Sequence, residues 1–232
     1  MTPSKSAALV LAAALLSSSG CGSSPDPKLR AEIDALARNV LVSDARYVGK
    51  VPLRRLPPAV GQWVEYLAYD DEGYPFRLRQ EVVGQQGEAF WIQQEQTTYQ
   101  DRTWLKLLVA NLAAPAPMDV FVKRVIHRDR EGNEVELPEN VEIWTEYLRR
   151  HGRFDMNIDK AVTITVPAGV FENTFTQQVP SPPSDPDDSL YEWLNSEVPI
   201  WGIVRAAATY GQSRWELVAF GLTGANDVFT SK

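Results

Sequence analysis

The sequence predicts an α+β fold, a large curved antiparallel β-sheet of half-barrel type with one or two packed helices lying on one side. Three observations carry this reading. From about residue 61 apolar residues recur with a period of two, as in Phe76, Leu78 and Val82 set against Arg77, Arg79 and Glu81, the pattern of strands with one buried face. Only two stretches, 28–42 and 139–150, keep a helical period. The 232 residues are 44% hydrophobic and 23% charged, an ordinary globular composition with enough apolar material for one domain's core.

In chain order, the first element lies outside the fold. Lys5 precedes the apolar run Ala7 to Leu16, which has the length of an export-signal core and is too short to span a bilayer. Ser17, Ser18, Ser19 and Gly20 then lead into Cys21, the single cysteine, and Gly22 to Pro27 is a polar tether. Residues 1–20 are therefore read as a signal peptide, 21–27 as the tether, 28–224 as one domain and 225–232 as a tail. Lys28 to Val42 is the first expected helix: Pro27 suits a first turn, and Leu29, Ile33, Leu36, Val40 and Leu41 share a stripe. Strands are expected at 61–69, 74–84, 87–98, 102–109, 119–128, 133–137, 161–166, 170–178, 189–194, 199–208 and 213–222, with turn signals between them. Glu139 to Arg150 is the second expected helix, with Val141, Trp144 and Leu148 on one face. Pro167 suits the first central position of a type I turn, with Gly169 at its exit. The proline-rich stretch Pro180 to Asp188 is expected to be a loop.

Small residues before a cysteine, directly after an apolar run, resemble the lipobox of bacterial lipoproteins. That family usually has Leu three positions before the cysteine, where this chain has Ser18, and Leu16 stands two residues further back. The resemblance implies that Cys21 is the lipid-attachment residue, acylated with fatty chains such as palmitate and left as residue one of the mature chain. Several acyl chains anchor stably where one does not. Gly22 in place of Asp implies the outer membrane, with the domain facing the periplasm. Loss of the leader with Lys5 takes the formal charge from −7 to −8.

A second resemblance lies in the folded part. Gly61-Gln62-Trp63-Val64-Glu65-Tyr66, Phe90-Trp91-Ile92, Lys106-Leu107-Leu108-Val109, Val166-Pro167-Ala168-Gly169-Val170-Phe171, Trp193, Glu197-Val198-Pro199, Gly202-Ile203-Val204 and Glu216-Leu217 resemble a group of uncharacterised bacterial envelope proteins. The architecture this implies is similar to the half-barrel of the periplasmic lipoprotein carrier and its outer-membrane receptor, which shelter acyl chains under a curved sheet.

Chemistry leaves few marks. An acidic domain repels phosphate backbones, so no nucleic acid is expected as a partner. One cysteine and two histidines exclude a disulfide framework and a Cys/His zinc site. His127-Arg128-Asp129 imitates the start of a kinase catalytic loop, but position 134 is Glu134 where that loop needs Asn. No G-x-S-x-G elbow and no phosphate-cradling motif occur. The carboxylate pairs Asp70-Asp71 and Asp187-Asp188 sit in turn segments and lack the calcium-loop pattern. His151, after Arg149 and Arg150, is expected to cap a helix end at the surface. No enzyme activity, no cofactor and no metal are expected, and a cofactor-free hydrolase using distant carboxylates stands as the third and lesser reading. The membrane, through acylated Cys21, and a hydrophobic ligand or an envelope protein are the expected partners.

The unusual feature is seven tryptophans. Trp91, Trp193 and Trp201 are expected to line the wall of an apolar ligand cavity, with Gly202 bending its strand. Two functions follow from this pattern. A carrier of hydrophobic ligands needs an enclosed apolar cavity, whereas a scaffold for envelope proteins needs a filled core and an exposed apolar patch.

Overall fold

The computed structural model describes residues 26–36, 40–52, 54–112, 119–151, 157–179, 189–209 and 212–230. The expected signal peptide, Cys21 and the expected loop at 180–188 lie outside these residues. The chain builds α1 (Pro27–Asp34), β1 (Leu41–Val42), β2 (Arg46–Pro52), β3 (Trp63–Tyr69), β4 (Pro75–Gln86), β5 (Ala89–Thr97), β6 (Arg102–Ala110), β7 (Phe121–Arg128) and β8 (Glu134–Glu136). After a 3₁₀ turn at Pro138–Asn140 come α2 (Val141–Arg150), β9 (Asn157–Val166), β10 (Gly169–Val179), β11 (Leu190–Leu194), β12 (Ile203–Ala208) and β13 (Arg214–Gly221). The strands form one antiparallel sheet in the order β1-β9-β10-β11-β12-β13-β3-β4-β5-β6-β7-β8, with β2 beside β1 on the edge of β9. The sheet is open and ends at β8 on one side and at β1 and β2 on the other.

Alternation sorts the side chains onto two faces. Val64, Tyr66 and Ala68 of β3 pair with Gln80, Leu78 and Phe76 of β4, and β13 adds Trp215 opposite Ala68. These residues share the main core with Trp144, Tyr147 and Leu148 of α2, so this is the helix face. α2 presents its apolar stripe here, and Glu142 in its first turn and Arg149 and Arg150 in its last complement the helix dipole. Thr145 Oγ1 accepts the Val122 N–H at 2.9 Å, and Arg149 Nε donates to the Val120 carbonyl at 3.0 Å, fixing α2 over β7.

The opposite face carries Trp63, Glu81, Gln93 and Lys106 in one cross-strand row. Residues 224–230 run across it as a strap. Phe229 joins Ala89, Trp91, Leu108, Ala110 and Ile126 in a second, smaller core. Backbone groups of the strap bond to sheet side chains: Gln93 Nε2 donates to the Asn226 carbonyl at 3.0 Å and Gln93 Oε1 accepts the Val228 N–H at 3.0 Å. Lys106, only 2% exposed, meets Asp227 at 2.7 Å.

The eleven segments expected from residue 61 onward, counted as nine or ten strands with some pairs merging, form as eleven separate strands, yet four expectations change. The first helix ends at Asp34 instead of Val42, and Leu41 and Val42 pair with Thr165 and Ile164; strand pairing overrides the helical period at its β-branched end. β2 lies ahead of residue 61, where no strand was expected. Residues 199–202 belong to a turn and β12 starts at Ile203, because Ile200 adopts φ 65° and the Asn195 N–H bonds to the Gly202 carbonyl at 2.8 Å. The helices also do not share a side: Glu32 of α1 pairs with Arg102 at 2.9 Å, and Arg102 approaches Glu95 on the strap face.

Candidate functional site

On the helix face the sheet buries a set of polar groups. β11 places Glu192, which is 0% exposed, between Gln177 of β10 and His151 at the end of α2. Gln177 Nε2 donates to Glu192 Oε2 at 2.6 Å, and His151 Nδ1 lies 2.6 Å from Glu192 Oε1. The Tyr147 ring packs on the His151 ring, with centroids 4.3 Å apart. Tyr66 donates its hydroxyl to the Ile203 carbonyl at 3.1 Å. Burial pushes both phenols, Tyr66 and Tyr147, above the ordinary tyrosine range, and the Glu192 carboxylate adds to the rise. Arg55 donates to the Leu112 carbonyl at 3.0 Å and its guanidinium lies 5.7 Å from the Trp201 ring centre. Burial brings Arg55 down to about 10, while Glu192 acts in the opposite direction.

His151 is therefore no surface cap. It is 3% exposed, with Nδ1 on the buried Glu192 carboxylate and its ring against Tyr147. Sequence reading missed Glu192 and Gln177 as well; the signal present was the inward parity of β11, where Leu190, Glu192 and Leu194 share a face. A buried carboxylate on an apolar face needs partners, and this one finds them on two other elements.

Beside this cluster lies a cavity of about 10 Å³ lined by Gln80, Tyr147, Leu148, His151, Trp201, Ile203 and Trp215. It has room for about one water molecule and none for an acyl chain. The three tryptophans expected to share a wall are separated. Trp201 lines this cavity. Trp91 packs in the second core on the strap face, with Lys106 5.1 Å and Arg124 5.5 Å from its ring centre. Trp193 alternates with Glu192 and so points to the face opposite it, where Arg205 lies 4.9 Å from its ring centre.

The strap face carries a charged ladder. Arg79 bridges Glu65 at 3.3 Å and Glu81 at 2.9 Å, Arg77 pairs with Glu95, and Trp104 Nε1 donates to Glu95 at 3.1 Å. Burial alone would raise the Glu95 carboxyl, but Arg77, Arg102 and the Trp104 N–H outweigh it and hold it below the usual carboxylate range. These charges satisfy one another, so the ladder does not frame a site for an ionic ligand. No group of three or more His, Cys, Asp or Glu able to hold a metal occurs among the described residues.

Comparison with known proteins places few constraints on this chemistry. No family model matches the chain, and no curated protein matches it. Among solved structures, it is similar to a protein from Bacteroides fragilis inferred to be exported, with a YmcC-like fold, at 13% identity and a TM-score of 0.37, over 73% of this chain and 99% of that one. It is also similar to a protein from Parabacteroides distasonis inferred to be a lipoprotein, at 12% identity and a TM-score of 0.30, over 75% of this chain and 100% of that one.

Proposed function

We propose that the chain is an envelope lipoprotein, anchored to the outer membrane through acylated Cys21, whose folded domain is a non-enzymatic module that binds protein partners at the periplasmic side. The anchor rests on one observation, the sole cysteine standing directly after a ten-residue apolar run and four small residues. The choice between scaffold and carrier rests on the packing under α2. Trp201, Trp215 and Tyr66 pack the helix face there, and among the described residues the cavity beside them is about 10 Å³, against roughly 300 Å³ or more for a ligand pocket. A face packed in this way favours a scaffold.

The surface that suits a partner is the free edge formed by β1 and β2. Leu41 and Val42 are exposed there, and Tyr47 is 75% exposed. An open edge offers backbone donors and acceptors for strand addition, and its apolar side chains add contact area. A photo-crosslinker placed at Tyr47 in cells should give a discrete adduct with an envelope protein, and one at Glu88, in the distant β4–β5 turn, should not. Equal or absent adducts at both positions overturn the edge as the binding surface. Titration with a long-chain fatty acid should leave tryptophan emission unchanged; a saturable blue shift restores the carrier reading. Mass spectrometry of the mature N-terminus should show an acylated cysteine, and an unmodified one removes the anchor.

A further inference from the structure

The cavity beneath Trp201 is more specific than its size implies. Three of its lining residues are each 3–4% exposed, and each holds a buried polar atom without a protein partner: Gln80 Oε1, His151 Nε2 and Trp215 Nε1. We propose that this cavity is a binding site for a single water molecule, which joins the Gln80–Gln94 pair to the His151–Glu192–Gln177 cluster in one network.

The chemistry of the three atoms selects that ligand. An indole N–H only donates. Gln80 donates its amide N–H to Gln94 Oε1 at 3.0 Å, which leaves its oxygen as an acceptor. Glu192 occupies His151 Nδ1, so Nε2 is the ring nitrogen left for the cavity. The site thus presents a donor, an acceptor and a ring nitrogen whose role follows its tautomer. Water meets all three, with a lone pair for Trp215, a hydrogen for Gln80 and either one for His151. A volume of about 10 Å³ sits at the threshold for one water and below that of any larger polar molecule. Buried polar atoms left unpaired are costly, and ordered waters with about three partners are the usual remedy. The molecule so placed ties the end of α2 to β4 and β13, two elements that the helix does not otherwise reach through hydrogen bonds among those described.

A crystal structure of the purified full-length protein at about 1.8 Å or better tests this. The expected result is a fully occupied water within about 3.2 Å of Trp215 Nε1 and of at least one of Gln80 and His151. Empty density, a density too large for water, or an indole N–H bonded to a protein atom overturns the proposal. In solution, the Trp215 indole proton should show a direct cross-relaxation peak to a long-lived water, and Gln80→Met should abolish it while leaving the other indole resonances in place. Persistence of the peak in a folded Gln80→Met protein removes Gln80 from the site and overturns the network.

Discussion

Glu192 shows how one residue can set the interior of a sheet. Its carboxylate takes hydrogen bonds from Gln177 and His151 at 2.6 Å each and acts electrostatically on Arg55, Tyr66 and Tyr147. Replacing it by Leu removes the acceptor of two buried donors and the charge that offsets the burial of Arg55, so Glu192→Leu is expected to cost roughly 3–5 kcal/mol in urea unfolding. A loss below about 1 kcal/mol would show that the cluster relaxes freely. Glu95 governs the acid limb. Its carboxyl is held below the ordinary value of 4.5, so the folded state keeps it charged to lower pH than the unfolded chain does. Its contribution is full above that ordinary value and is lost as pH falls through the depressed one. The stability difference between the native protein and Glu95→Gln, read as urea midpoints between pH 7 and pH 3, should therefore shrink as pH falls. A difference that grows on acidification contradicts the assignment. The Glu95 ladder was half legible in sequence: alternation put Arg77, Arg79, Glu81 and Glu95 on one side, but which acid meets which base depends on strand register.

At the scale of elements, the β9–β10 hairpin is the clearest case. Gly169 closes it opposite Val166 with φ 137°, and a Cβ there would meet nothing within 4 Å. The cost of substitution is thus conformational, not steric. Gly169→Val should lose about 1–2 kcal/mol, and an unchanged melting temperature would show that the turn refolds around it. The hairpin also bends within the sheet. β10 shifts register between Phe171 and Thr174, Asn173 has φ 54°, and the Ala168 N–H bonds to the Leu217 carbonyl of β13 at 3.1 Å. Bulges bend strands, and this bend brings Phe171 to within 5.9 Å of Phe220, ring centre to ring centre. Asn195 holds the bend by donating to the Glu172 carbonyl at 2.7 Å. The turn at Pro167 to Gly169 was readable because proline and glycine restrict or release φ locally. The bulge was not, because Glu172-Asn173-Thr174 carries no such mark.

For the whole molecule, the C-terminal strap is the element on which the strap face depends. Phe229 fills the second core, and Asp227 is an ionic partner of a lysine buried to 2% exposure. Arg128 further donates to the Val228 carbonyl and Glu134 accepts the Thr230 N–H at 2.7 Å. Ending the chain at Gly224 should cost about 3 kcal/mol or more, from the lost burial of Phe229 and the lost Asp227–Lys106 ion pair. That corresponds to a melting temperature lower by roughly 6–12 °C for a domain of this size. An unaltered melting temperature would mean that Trp91, Leu108 and Ile126 are stable without cover.

Local chemistry determined what could be read from the sequence alone. Period-two alternation marked the strands from Trp63 onward and apolar spacing at 3.6 marked α2, since each depends on neighbours a few residues away. Tertiary structure decided the rest. Leu41 and Val42 became a strand because β9 offered an edge, and His151 went inside because Glu192, 41 residues later, was there to meet it. Trp201 parted from Trp91 and Trp193 because it falls on the helix face, and those two, on the opposite face, stand on strands far apart in the sheet order. A one-residue shift of a strand reverses the face, and composition does not record it.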